Sequence, residues 1–272
     1  MNGLINLVII GAASVAALML LLWLVHLRTG NAAIVDAGWA GGLAMLGILY
    51  SGLGGGNWLR SGMIAAMAGI WGFRLAYYLL TTRIIGHPEE GRYQELRRQW
   101  KTNIPFKFLI FFEFQALLCV VLAVPFLAAS RNPEARIAPI EWVAAALWVM
   151  AITGEALADS QLNKFKSDPS NKGFTCQAGL WRYSRHPNYF FEWLIWVAFA
   201  LFALASPGGY WGLIAPTLIL YFLLRVTGIP ATEAQAVRTR GEEYRRYQQT
   251  TSAFVPWFRK ETSREENHPR ST

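Results

Sequence analysis

Apolar residues run in long uninterrupted blocks along this chain, separated by short polar connections, and neither strand alternation nor a narrow amphipathic stripe prevails. A helix crossing a bilayer needs roughly 20 mostly apolar residues. Seven blocks meet that length, at about 3–25, 32–51, 58–81, 107–129, 139–161, 189–206 and 208–226. The pattern predicts an all-α polytopic membrane protein with seven transmembrane helices. The first block is no ordinary cleaved signal peptide, because it lacks a basic leader and its apolar stretch is too long.

Composition sharpens this reading. Of 272 residues, 54% are hydrophobic and only 15% charged, a balance that excludes an ordinary soluble domain. The net charge of +8 is concentrated in 82–107, 162–188 and 227–272. If basic loops lie inside, the N-terminus is outside and the C-terminus cytosolic, as seven crossings require. A bacterial inner membrane is the expected location. The basic face suits anionic lipids and phosphate-bearing ligands, and no nucleic-acid partner is expected. Residues 1–258 are expected to form one membrane domain and 259–272 a disordered tail. Cys119 and Cys176 fall on different sides of the membrane boundary, which argues against a disulfide, and no His/Cys cluster suggests a metal. Gly52-Leu-Gly-Gly-Gly56 follows no strand and reads as a flexible turn rather than a phosphate loop.

Ionisable residues inside spans are costly and mark candidate function. Asp36, Arg74, Glu113, Glu155, Asp159, Glu192 and Arg225 all fall in the half of their blocks nearer the basic loops. One cytosol-facing polar cavity walled by several helices explains the bias. Glu155, Asp159, Asn163 and Lys166 share one helical face. A solvated, ion-paired helix end accounts equally for Lys166. Before the sixth block, Arg185 and His186 with Pro187 at a helix start form a mouth suited to anions. A basic interfacial collar anchored by Tyr189 is the alternative there, though it leaves Asn188 and Glu192 without a role. Beyond the last block, Arg238, Arg240 and Tyr244 fit either a cofactor surface or a membrane-lying helix.

Gly179-Leu-Trp-Arg-Tyr-Ser-Arg-His-Pro-Asn-Tyr-Phe-Phe-Glu192 followed by Glu242-Glu-Tyr-Arg-Arg-Tyr247 and Phe254-Val-Pro-Trp-Phe258 resembles the steroid 5α-reductase superfamily. It is most similar to a bacterial branch often filed as a domain of unknown function. Val35-Asp36-Ala-Gly-Trp39, Gly228-Ile-Pro-Ala-Thr-Glu233 and Thr251-Ser-Ala-Phe-Val-Pro256 also fit that branch. The resemblance implies seven helices around a cytosol-facing NADPH cavity. It also implies reduction of a carbon–carbon double bond conjugated to a ketone, as in a Δ4-3-keto steroid or related apolar lipid. Cofactor contacts carry over to Arg74, Glu155, Asp159, Asn163, Lys166, Trp181, Arg182, Arg185, His186, Asn188, Tyr189, Arg225, Glu233, Arg238, Arg240 and Tyr244. Asp36 falls near the family's catalytic acid and is expected to stay protonated and donate to the ketone. The family's catalytic tyrosine lands near Trp71, which leaves Tyr77 or Tyr78 to supply the phenol or Asp36 to act alone, with Glu192 the next candidate. Two other classes compete. One is an S-adenosylmethionine-dependent membrane methyltransferase acting on isoprenylcysteine or phospholipid, which shares the Arg-His-Pro-x-Tyr element. The other is a non-enzymatic lipid-binding or transport protein.

Overall fold

The computed structural model describes residues 2–260. The expected tail at 259–272 therefore lies outside the described residues except for Arg259 and Lys260. The described chain is helical, with one isolated bridge between Ser184 and Ser252 and no strand among the described residues. Among the described residues, six helices are long and apolar enough to cross a membrane.

Two compact units are interleaved along the sequence, the first comprising Met1–Ala145 with Phe199–Ala215 and the second Ala146–Ala198 with Pro216–Thr272. The first unit holds α1 (Asn2–Thr29), α2 (Ile34–Leu53), α3 (Trp58–Leu79), α4 (Gly91–Trp100), α5 (Ile104–Leu122) and α6 (Val124–Ser130). It also contains the start of α7 (Pro139–Ser167) and the end of α8 (Pro187–Ala203).

Small residues let α2 and α3 touch backbone to backbone. A Cβ at Gly72 would lie 2.6 Å from the Ala40 carbonyl, and one at Gly47 would overlap Ala68. Close approach of this kind is the usual basis of helix association in lipid, where apolar burial gives little drive. Asn57 caps α3 by accepting from the Leu59 and Arg60 amides. The glycine-rich turn before it is pinned rather than free. Gly56 N donates to Ser130 O at 3.0 Å and Asn57 N to Asn132 O at 2.8 Å. A Cβ at Gly54 would meet Ser130 O at 2.5 Å, so the expected flexibility of 52–56 gives way to a docked turn that needs glycine for contact.

Arg60 anchors the same end of this unit. Its Nε donates to Glu141 Oε1 at 2.5 Å and its Nη2 to Glu141 Oε2 at 3.0 Å. The remaining guanidinium bonds take the carbonyls of Asn132, Glu134 and Arg136. Trp71 is buried edge-on against Trp39 and Phe199, a packing role.

Two expected spans differ from the structure. The block at 107–129 is split at Ala123 into α5 and α6, with Pro125 in the first turn of α6. Proline removes an interior hydrogen bond and clashes with the preceding turn, so it starts a helix more readily than it continues one. The block at 189–206 is α8, an apolar helix of 17 residues. At 1.5 Å per residue it rises about 25 Å, short of the roughly 30 Å hydrocarbon core. With six helices of spanning length, the count no longer forces the chain ends onto opposite faces.

The second unit contains the remainder of α7 and α8, with α9 (Ile214–Tyr221) from Pro216 onward, α10 (Ile229–Arg240) and α11 (Glu242–Thr250). A π-helical turn at Phe222–Val226 follows α9 and carries Arg225; its counterpart Leu80–Ile84 follows α3. Cys119 and Cys176 are both free thiols, as expected. Burial pushes the Cys176 thiol up.

Candidate functional site

Polar residues gather in two constellations, one in each unit. In the first unit, α4 returns over the start of α2. Glu89 accepts from the Ala32 amide at 2.7 Å and from Arg97 Nε at 2.8 Å, and Arg97 Nη2 reaches the Gly30 carbonyl at 3.0 Å. This clamp sets Tyr93 and Arg92 beside Asp36. The Tyr93 phenol donates to Asp36 Oδ1 at 2.8 Å, and Arg92 is ion-paired with Oδ2. Arg92 also meets Glu90 at 3.2 Å, which in turn meets Arg83 at 3.4 Å. Tyr93 is buried; that burial, with the Asp36 charge beside it, pushes the phenol well above its usual range. The phenol therefore keeps its proton across the physiological range.

Both Asp36 oxygens accept hydrogen bonds here, and the Tyr93 phenol beside them is a second candidate donor that the sequence did not single out. The alternative phenols are less suited. Tyr77 is 70% exposed on α3, and Tyr78 is half-buried. Arg74 is half-buried in the last two turns of α3.

In the second unit the 179–192 motif is tied down at nearly every residue. Leu180 N donates to Gln161 on α7 at 2.9 Å, and Trp181 Nε1 donates to Ala158 O at 3.0 Å. Gly179 has φ +58°, and a Cβ there would meet Gln161 at 2.5 Å or less. Asn188 Nδ2 donates to the buried Asp159 at 3.3 Å, joining the start of α8 to α7. Glu192 accepts from Trp196 Nε1 at 2.9 Å, one turn along the same helix. His186 stacks on Tyr189 with centroids 5.2 Å apart, and the Tyr189 hydroxyl lies 3.2 Å from Thr232 Oγ1.

Glu233 is the hub of this unit. Its Oε1 accepts from Arg185 Nε at 2.6 Å and pairs with His186 Nε2 at 3.2 Å, while Oε2 accepts from Gln248 at 2.8 Å. Arg185 Nη1 donates further to the carbonyls of Gln248 and Thr251 at 2.9 and 2.5 Å. Arg185 and Glu233, expected to touch a cofactor, thus brace the motif against α10 and α11. Tyr244 is likewise buried with Tyr247 and Ala236 as part of a small core; its burial and the Glu233 charge push its phenol up. Lys166, Arg182, Arg225 and Arg238 are exposed, Arg240 is half-buried, and Asn163 is half-buried on the Asp159 face of α7. These exposed cations fit phosphates, and the Asp159–Asn188 pair fits a carboxamide. Lys166 and Asp159 also have partners within the protein.

Sequence reasoning missed several of these residues. Tyr93, Arg92 and Glu89 lay in a segment read only as a basic loop. Gln161 and Gln248 were given no role, and Glu243 entered only within the 242–247 motif, although it takes the Thr175 amide at 3.1 Å and the Thr175 hydroxyl. The spacing of Tyr93 and Arg97, one helical turn apart, was the available signal.

A family model described as a protein of unknown function, DUF1295, matches residues 22–251. The chain belongs to this family. Among curated proteins, this DUF1295 chain is 30% identical over 213 residues to an uncharacterised protein of Schizosaccharomyces pombe. The match covers 68% of the DUF1295 chain and 61% of the yeast protein's length. No solved structure matches it. The family match takes in Asp36, Tyr93 and the whole of the Glu233 hub.

The hub makes a measurable prediction for the DUF1295 chain. Tyr247 donates its hydroxyl to the carbonyls of Trp181 and Ser184. Tyr247→Phe leaves both buried acceptors without that donor, so thermal stability in detergent is expected to fall by about 1–3 kcal/mol. An unchanged unfolding midpoint would show that water takes over the bonds.

Proposed function

We propose that this protein is an NADPH-dependent membrane reductase of a carbon–carbon double bond conjugated to a ketone, acting on an apolar lipid such as a Δ4-3-keto steroid. The observation that carries the reading is the buried Tyr93 phenol held on Asp36, with Arg92 on the other carboxylate oxygen. When bound, NADPH supplies hydride to the β carbon of the enone. The electron pair of the double bond then moves onto the ketone oxygen. Tyr93 is the group that meets that charge. A ketone arriving at its hydroxyl takes over the hydrogen bond now made to Asp36, and the oxygen receives the phenolic proton. The resulting enol returns this proton to Tyr93 as its α carbon takes one from solvent. Until the ketone arrives, Asp36, steadied by Arg92, holds the phenol in that position.

For the cofactor, Lys166, Arg225, Arg238 and Arg240 are the cations that fit its phosphates, and Asn188 with Asp159 the pair that fits its carboxamide. The resemblance of residues 179–192 and 242–258 to the steroid 5α-reductase superfamily supports the same assignment. On this reading α8 completes a seventh crossing, the cofactor cavity faces the cytosol, and the C-terminus is cytosolic in a bacterial inner membrane.

The test is cofactor retention and turnover by the full chain in detergent or nanodiscs. NADPH should bind, and Asn188→Ala should weaken it at least tenfold, since a buried charge-assisted bond is worth about 1.5–3 kcal/mol. Binding of S-adenosylmethionine without NADPH would replace this reading with the methyltransferase one.

A further inference from the structure

Trp257 and Phe258 are 67% and 77% exposed, the two most exposed aromatic side chains described in the second unit. Lipid-facing side chains on a spanning helix need no further explanation. These two lie elsewhere, on an irregular strap that leaves α11 and carries no helix of its own. The strap is nevertheless held in place. Trp257 N donates to Tyr183 O at 2.9 Å, Lys260 N to Thr250 O at 2.8 Å, and Ser184 Oγ to Phe254 O at 2.8 Å. Phe258 packs edge-on against Tyr183, itself exposed, with centroids 6.4 Å apart, and Val255 is exposed nearby in the chain.

A fixed backbone thus presents Tyr183, Val255, Trp257 and Phe258 outward together. Arg182, Arg259 and Lys260 flank them, all exposed, and no acidic side chain pairs with any of the three among the described residues. Rings with an apolar body and polar edge, beside unpaired basic side chains, have the composition of the membrane–water boundary. A soluble partner would be met by unpaired positive charge, whereas an anionic leaflet attracts each basic residue near its surface.

We propose that the 254–260 strap, with Arg182 and Tyr183, is a docking surface for the headgroup region of an anionic bilayer. Its aromatic rings enter the headgroup–acyl boundary and Arg182, Arg259 and Lys260 engage lipid phosphates or carboxylates. This inference is independent of the enzymatic reading.

The experiment uses the full chain with Cys119→Ala and Cys176→Ala, spin-labelled at Val255→Cys, in nanodiscs of phosphatidylcholine with or without phosphatidylglycerol. A second label at Glu242→Cys, on an exposed acidic position of α11, gives the aqueous reference. The 255 label should collide with oxygen several-fold more, relative to a water-soluble nickel complex, than the 242 label, and most strongly in the anionic discs. Arg259→Glu with Lys260→Glu should remove the anionic enhancement, and Trp257→Ser with Phe258→Ser should lower protection in both lipids. These exposed substitutions leave the strap's backbone bonds intact. A 255 label as water-accessible as the 242 label in both compositions overturns the proposal. So does protection that follows protein concentration in detergent, which identifies a second copy as the occupant.

Discussion

Glu141→Ala is expected to be the most destabilising single change in the first unit, costing about 3–5 kcal/mol. Glu141 and Arg60 have side-chain exposures of 0% and 1% and meet through two hydrogen bonds, so removing the carboxylate strands a guanidinium away from water. The three carbonyls on that guanidinium soften the loss without replacing the negative charge. Arg60→Met should cost as much for a second reason, since the carbonyls of Asn132, Glu134 and Arg136 then lose their donor together. The double change Arg60→Met with Glu141→Leu should be much less harmful than the sum of the singles, because no charge remains buried. Unfolding in detergent, followed by tryptophan fluorescence, measures all four states. Additive losses would mean that the pair is not coupled and that the carbonyl contacts dominate.

Tyr93→Phe is expected to slow enone reduction by roughly 10²- to 10³-fold, about 2.7–4 kcal/mol, the scale of one donor to a developing oxyanion. The ring and its packing remain, so NADPH affinity and folding should be preserved. Asp36→Leu should cost about 2–4 kcal/mol in the same assay by freeing the phenol from its orienting partner. Asp36→Asn keeps an oxygen that accepts from Tyr93 and should retain intermediate activity. The loss should appear in kcat and kcat/KM alike, because the bond strengthens only as charge reaches the oxygen. Wild-type turnover by Tyr93→Phe would remove the phenol from the reaction. Because burial and the Asp36 charge raise the Tyr93 phenol, any alkaline decline in rate should come well above pH 10, the region of an ordinary tyrosine.

Much of the helical layout was legible because spanning helices are written in composition. Long apolar blocks can satisfy their backbone in lipid only as helices, so α1, α2 and α3 follow almost from hydropathy. Where local chemistry competed with that pattern, the reading slipped. Pro125 divides an apolar block whose hydropathy is continuous, and α8 is apolar beyond Glu192 yet ends at Ala203. The α4 helix was invisible for the opposite reason, since residues such as Arg92, Glu95, Arg97 and Arg98 mask the turn that places Tyr93.

The candidate site was legible in identity more than in role. Asp36, Asp159, Asn188 and Arg185 stood out as polar residues in apolar company. Which of them would face a ligand depended on partners far along the chain. Arg185 looks like an anion ligand until Glu233 and the carbonyls of Gln248 and Thr251 are placed around it. Asp36 looks like a lone acid until Tyr93 and Arg92 arrive from 57 and 56 residues away. Long-range pairing of this sort leaves no periodic trace in a single sequence.

The sequence distances inside the Glu233 hub carry a consequence for how the protein is made. Arg185 waits for an acceptor 48 residues downstream, Thr175 for one 68 residues on, and Ser184 for one 70 residues on. A ribosome that has just released α8 has synthesised the whole 179–192 motif and none of these acceptors. Until Glu233, Glu243 and Phe254 emerge, the nascent motif must keep its polar groups in water or lend them to a chaperone. The interval between the synthesis of α8 and the emergence of Phe254 is therefore the one in which this chain is most open to surveillance and degradation.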